Sequence, residues 1–158
     1  MSTALNFTEL RSGSAIDLPA VSEVMADAFE PRFGEGWTSS QCMGMLSLPG
    51  VWLTLAYREG GLVGFALARA IAGDGELLLI AVRPSWRGCG VGAALLRSVI
   101  ADAEMRAAER LHLEVRADNR AIRLYLGNGF LKVGERRGYY RGCEGRLYDA
   151  HTYARQLT

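Results

Sequence analysis

The sequence predicts one α/β domain over residues 1–158, a single mixed and mostly antiparallel sheet of about six to seven strands flanked by about four helices. Apolar positions recur at helical spacing in some segments and alternate or run on without a break in others. Gly- and Pro-rich turns separate these segments, with no repeat, linker or low-complexity tract between them. A chain of 158 residues, 49% apolar and 22% charged, suits one packed core and excludes a disordered or fibrous protein.

A first strand is expected near Leu5 to Arg11. A helix follows, opened by Asp17 with Pro19 in its first turn and an apolar stripe of Leu18, Val21, Val24, Met25, Ala28 and Phe29. Glu30 to Trp37, with Pro31, Gly34 and Gly36, should be a loop, and Ser39 to Leu48 a short helix stopped by Pro49-Gly50. Val51 to Arg58 and Leu62 to Ala72 read as a hairpin around Glu59-Gly60-Gly61, and Glu76 to Val82 as the next strand. Gly92, Leu95, Leu96, Val99, Ile100, Ala103 and Ala107 then follow the helical period. Leu111 to Arg116 alternates, which turns Glu114 away from the leucines. A short helix over Arg120 to Leu126 should end at Gly127-Asn128-Gly129. Two last strands, Phe130 to Arg137 and Arg146 to Arg155, flank a loop holding Tyr139, Tyr140, Gly142 and Gly145.

With 18 basic and 17 acidic residues the net charge is +1, so no general field draws the chain to nucleic acid or to an anionic membrane. The apolar run Leu77 to Val82 is far shorter than the ~20 residues of a spanning helix. Met1 to Asn6 lacks the features of a secretory signal, so a cytoplasmic address is expected. Cys42, Cys89 and Cys143 form no CxxC pair and are expected to be free thiols. His112 and His151 read as strand residues, and no metal is expected.

The segment Ile80-Ala81-Val82-Arg83-Pro84-Ser85-Trp86-Arg87-Gly88-Cys89-Gly90-Val91-Gly92-Ala93 joins a buried strand to an amphipathic helix. Glycines let backbone approach an anion, and the first-turn amides of the helix supply donors at its positive end. A nucleoside triphosphate loop would need Gly-Lys-Ser/Thr, which is missing. The glycine spacing also departs from the G-x-G-x-x-G of dinucleotide folds, although Glu114 lies about where their acidic residue would be. A tight turn that only packs helix on strand is the plainer alternative.

The motif R/Q-x-x-G-x-G/A after a strand, filled here by Arg87, Gly90 and Gly92, resembles the GNAT superfamily of acetyltransferases. Further likeness, closer to the bacterial ribosomal-protein-alanine N-acetyltransferases, lies in Leu113-Glu114-Val115-Arg116, Asn119, Ala121-Ile122, Leu124-Tyr125, Gly129-Phe130, Arg136-Arg137-Gly138-Tyr139-Tyr140 and Asp149-Ala150. It covers most of the chain beyond Ile80 and is faint before Val51. The resemblance implies acetyl-coenzyme A as cofactor, its pyrophosphate on the amides of Arg87, Gly88, Cys89, Gly90, Val91, Gly92 and Ala93. It implies that Ile80, Ala81 and Val82 splay from a neighbouring strand to pair with the pantetheine arm, with the Val82 amide as oxyanion donor and Asn119 and Tyr125 also against the cofactor. Only Arg120 separates Asn119 from Ala121, one residue fewer than the family has, so either Asn119 or Asp118 fills the asparagine's place.

Acylating an amine needs the free base, and an α-amino group with pKa ~7.7–8.0 is largely protonated at neutral pH. Glu114 is the candidate base, direct or through water, and Tyr125 the candidate acid for the departing thiolate, both by likeness to the family. A solvated strand glutamate, paired with Arg116 or Arg87, and a packed aromatic are the plainer alternatives. Trp37, Tyr139 and Tyr140 are candidates to hold a peptide, with Glu30 or Glu35 near the incoming cationic chain. The leading acceptor is a peptide or protein N-terminus, such as the terminal alanine of a ribosomal protein, met by a monomer or homodimer. A small-molecule amine and a non-catalytic acyl-coenzyme A-binding module remain open.

Overall fold

The computed structural model describes residues 7–158. Seven strands and four α-helices follow in the order β1 (Glu9–Gly13), α1 (Leu18–Ala28), α2 (Ser39–Leu46), β2 (Val51–Arg58), β3 (Gly61–Ile71), β4 (Asp74–Val82), α3 (Val91–Met105), β5 (Arg110–Arg116), α4 (Ile122–Gly127), β6 (Leu131–Arg141) and β7 (Leu147–Gln156). They build one sheet in the order β1-β2-β3-β4-β5-β7-β6. Among the described residues only β4 and β5 run parallel. The expected mixed, mostly antiparallel sheet is therefore observed.

Helix α3 lies on one face, where Leu95, Leu96 and Val99 are fully buried against Ala66, Ala68, Leu111 and Leu113. Helices α1 and α2 cover the other, where Val21, Val24 and Cys42 pack on Leu53, Leu55, Phe65 and Leu67. The period-two and period-3.6 patterns are thus two sides of one burial requirement. Among the described residues no helix is long and apolar enough to cross a membrane.

Strand β4 departs from simple alternation. Leu67 stands opposite Leu79 and Ala68 opposite Leu77, so Leu78 is an extra residue, a β-bulge. Leu77 consequently packs with α3, whereas Leu79 and Ala81 pack with α1 and α2. The uninterrupted apolar run of this strand is the sequence trace of that change of face.

Several boundaries move for physical reasons. The first strand lies later than expected, because Glu9–Gly13 pairs with Leu53 to Tyr57; Leu5 and Asn6 are outside the described residues. Helix α2 is capped by Thr38, whose side chain accepts from Gln41 N at 3.1 Å while Gln41 Oε1 accepts from Thr38 N at 2.7 Å. Ala107 is not on the buried stripe of α3: the helix has ended, Ala107 has φ 63°, and Ala108 tucks into the core instead. Strand β6 continues through Tyr139 and Tyr140, which the sequence assigned to a loop. Gly138, at φ 60°, sits in an irregularity between Arg136 and Tyr140 rather than in a turn.

Candidate active site

The central cleft begins where two strands part. β4 and β5 pair only at Asp74–Arg110, Gly75–Leu111 and Glu76–His112. The His112 ring lies 3.4 Å from Asp74 and 3.7 Å from Glu76 at this junction. Beyond it Leu77–Val82 has β3 on one side and, among the described residues, no strand on the other. Arg83 N donates to Val63 O at 2.8 Å. In an antiparallel ladder this phase turns the N–H of Val82, and of Ile80 two residues earlier, away from β3 and into the cleft. The cleft encloses about 940 Å³, in the range of sites that hold a small molecule.

At one end of this cavity a single 3-10 turn, Pro84–Trp86, delivers Arg87 and the glycines to the start of α3. Gly88 and Gly90 have φ 76° and 85°, and a Cβ on either would meet nothing within 4 Å. They are glycines for backbone conformation and leave an open cradle. Gly90 caps α3 without a side-chain hydrogen bond, so the amides of the first turn remain available as donors. Arg87 is turned elsewhere: its Nε donates to Val82 O at 3.2 Å and its terminal nitrogen to Ala28 O at 2.8 Å, tying the end of β4 to the end of α1. An anion cradle continuous with an unpaired strand edge fits a diphosphate that carries an amide-bearing arm.

The other end holds the ionisable groups. Glu114, 14% exposed, accepts from Thr152 Oγ1 at 2.8 Å and meets Arg136 Nε at 3.0 Å. Its partner is thus Arg136, not the Arg116 or Arg87 considered from sequence. Tyr125 is buried and packs edge-on against Phe130, ring centroids 5.9 Å apart. Burial, and then the charge of Glu35, hold its phenol far above the ordinary tyrosine range. Tyr140 is pushed up in the same way, by burial first and then by Glu35, Tyr139, Glu114 and Tyr125. Both phenols keep their protons at neutral pH.

The loop between α1 and α2 closes over this end. Glu35 accepts from Arg116 Nε at 3.0 Å and from Asn119 Nδ2 at 2.9 Å, and the Arg116 guanidinium stacks 3.6 Å above the Phe33 ring. Asn119 Oδ1 meanwhile accepts from Ala121 N at 2.9 Å at the entry to α4, while Asp118 pairs with Arg116. Glu30 pairs with Arg32 at 2.6 Å. Both glutamates expected near an incoming cation are therefore committed to arginines. The loop is pinned to the β6–β7 connection by Cys143 N donating to Pro31 O at 3.1 Å. Backbones meet so closely there that a Cβ on Gly34 would land on the Arg141 carbonyl, and one on Gly142 on the Arg32 carbonyl.

Trp37, Ile80, Ala81, Val82, Arg87, Gly88, Gly90, Gly92, Ala93, Glu114, Asn119, Tyr125, Tyr139 and Tyr140 all line the one cavity. Cys89 and Val91 do not: Cys89 is exposed and Val91 is 1% exposed within the core. Trp37 is half-buried and also packs with the α1–α2 cluster. Sequence reasoning missed Arg136 and Thr152 as partners of Glu114 and Arg116 as partner of Glu35. Strand alternation alone could have put Thr152 and Glu114 on one face.

Comparison with known proteins agrees with this architecture. The 90-residue match to the [ribosomal protein bS18]-alanine N-acetyltransferase of Escherichia coli K12 is 39% identical and covers 56% of this chain and 61% of that protein. The N-alpha-acetyltransferase RimI of Mycobacterium tuberculosis is 41% identical over 104 residues, 62% of each chain. The chain thus spans about three-fifths of the length of these relatives. The crystal structure of the ribosomal-protein-S18-alanine N-acetyltransferase from Escherichia coli superposes with a TM-score of 0.84 at 29% identity, over 96% of this chain and 95% of that one. The model of the acetyltransferase (GNAT) family matches residues 18–130. With that match over most of its length, laid on a sheet split between β4 and β5, the chain belongs to the GNAT family.

Proposed function

We infer that the protein transfers an acetyl group from acetyl-coenzyme A to an amine, and that the amine is the α-amino group of a peptide or protein N-terminus. One observation carries the reading: a cleft-directed amide on Val82, a nearly buried carboxylate on Glu114 and a protonated phenol on Tyr125 line one cavity whose far end is an anion cradle.

Ile80, Ala81 and Val82 would hold the cofactor along the β4 edge, and Arg87 to Ala93, Asn119 and Tyr125 at its flanks. When bound, acetyl-coenzyme A supplies an acetyl group already activated as a thioester. The chain's own work is positioning and proton transfer. Val82 N–H, fixed in phase by the ladder, would be the donor for an oxygen on which negative charge develops. Glu114 would take one proton of the incoming ammonium, directly or through water, and the second proton that this nitrogen sheds as the amide forms would balance the one that Tyr125 gives to the departing sulfur. Tyr139 and Tyr140 lie on β6 with ring centroids 5.0 Å apart and offer aromatic walls to an extended peptide. The finer acceptor, the terminal alanine of a ribosomal protein, is supported by the likeness to enzymes named for a ribosomal-protein alanine.

Acetyl-coenzyme A with a panel of N-terminal peptides and small amines, followed by release of free thiol, tests the reading. Turnover is expected with peptides; turnover of small amines alone would sink the N-terminal acceptor. Glu114→Gln should lower kcat by about two to four orders of magnitude. The loss should be larger at low pH, where the amine is protonated, and an unchanged pH profile would remove Glu114 as base.

A further inference from the structure

The anion cradle at the start of α3 has no cation of its own. Gly88 to Ala93 carry no charged side chain, and Arg87 is committed to Val82 O and Ala28 O. A cation stands behind the cradle instead. Trp52 and Ala56 on β2 pack in the α3 cluster, and period-two alternation puts Arg58 on the same face, at the strand end where it pairs with Gly61. From there its Nη1 donates to Cys89 O at 3.3 Å, and its guanidinium carbon lies 5.1 Å from the centre of the Trp86 ring.

That one hydrogen bond fixes a whole peptide unit. A trans peptide is planar, with its C=O and N–H pointing in opposite directions. Cys89 O turned toward Arg58 therefore turns Gly90 N–H the other way, and Gly90 lines the cavity whereas Arg58 and Cys89 do not. Trp86 N and Arg87 N donate to Arg83 O and Pro84 O, but among the described residues the N–H groups of Gly88, Cys89 and Gly90 donate to no backbone carbonyl. A guanidinium on the carbonyl also polarises the peptide and makes its N–H a stronger donor. Arg58 holds this place at a cost, because its Nε is buried without a partner. Among the described residues no carboxylate pairs with it, so its charge is left unneutralised behind an amide that faces the cleft.

We propose that Arg58 is a positioning residue for the diphosphate of coenzyme A: through Cys89 O it aims and strengthens the Gly90 amide, and it supplies the positive charge that Arg87 withholds. The β2–β3 hairpin is thereby part of the cofactor site although it does not line the cleft. This inference rests on the acetyl-coenzyme A reading.

Calorimetric titration of the full chain with coenzyme A and with 3′-dephospho-coenzyme A tests it without turnover. Arg58→Met keeps an apolar stem against Trp86 but neither donor nor charge, and it should bind both ligands about tenfold more weakly than wild type. Wild-type affinity should also fall more steeply with added salt than that of the variant. Arg58→Lys, which keeps charge and donor, should recover most of the loss. Arg58→Gln, which keeps a donor without the charge, should bind more weakly than wild type and show the flatter salt dependence, even if the methionine variant does not fold. In thiol release the KM for acetyl-coenzyme A should rise while kcat at saturation stays within about twofold, a split that an arginine needed only for folding would not give. Unchanged affinity in the methionine and glutamine variants overturns the proposal and leaves the cofactor reading standing. A loss seen with coenzyme A and absent with the dephospho form would assign the charge to the 3′-phosphate and overturn the role at the diphosphate. A wild-type chain that binds neither ligand overturns both.

Discussion

Along β4 and the glycine loop the cleft is walled by main chain: amides aimed by ladder phase, open glycines and the first turn of α3. Across from it, in the α1–α2 loop and along β5 and β6, the polar wall is side chains, and its carboxylates are held by others, Glu35 by Arg116 and Asn119 and Glu114 by Thr152 and Arg136. Backbone donors do not depend on residue type, so such a wall suits a ligand that never changes. Paired side chains can be exchanged one at a time, so such a wall suits a ligand that differs from one protein to the next.

The contrast can be broken on either side. The largest effect is expected from Gly142→Ala, whose Cβ would meet the Arg32 carbonyl and force the two loops apart. Stability should fall by about 2 kcal/mol in a denaturant titration, with acetyl-coenzyme A affinity of the folded protein retained. Wild-type stability would mean that the loops are not held together there. Gly90→Ala acts on the other wall. Its left-handed backbone, φ 85°, costs an alanine about 1–2 kcal/mol, so calorimetric affinity for acetyl-coenzyme A should drop roughly tenfold with little change in peptide KM. A lower affinity for peptide instead would erase the division between the walls.

The smallest effect concerns the buried phenols. Because the folded pKa of Tyr125 lies above the ordinary 10.0, the unfolded chain releases that proton first. The tyrosine's contribution is fully present below pH 10 and is lost as pH climbs toward the folded value, at no more than about 1.4 kcal/mol per pH unit. Tyr125→Phe should flatten the fall of stability above pH 10 and leave its pH dependence near neutrality unchanged. An identical alkaline slope in the variant would place the phenol in water.

What could be read in the sequence divides along the same line. The glycine loop, the hairpin of β2 and β3 and the helix α3 are local patterns, legible because spacing along the chain is also spacing in space. The split between β4 and β5 is a matter of register, which no single segment reveals, and it was expected only through the family resemblance. Tyr139 and Tyr140 looked like loop residues because glycines stand on both sides of them; Gly142 does open the β6–β7 turn, whereas Gly138 lies in an irregularity of β6. The pairs Glu35–Arg116 and Glu114–Arg136 join residues far apart in sequence, and ion-pair partners follow from topology rather than composition.

Unpaired strand edges ordinarily invite the strands of other molecules and so lead to aggregation. The long bare edge of β4 beyond Glu76 is an interior one, flanked by β5 and roofed by the α1–α2 loop, where no second sheet can align with it. The fold thereby keeps a row of free backbone donors that a slender chain-like molecule can enter and a neighbouring protein cannot.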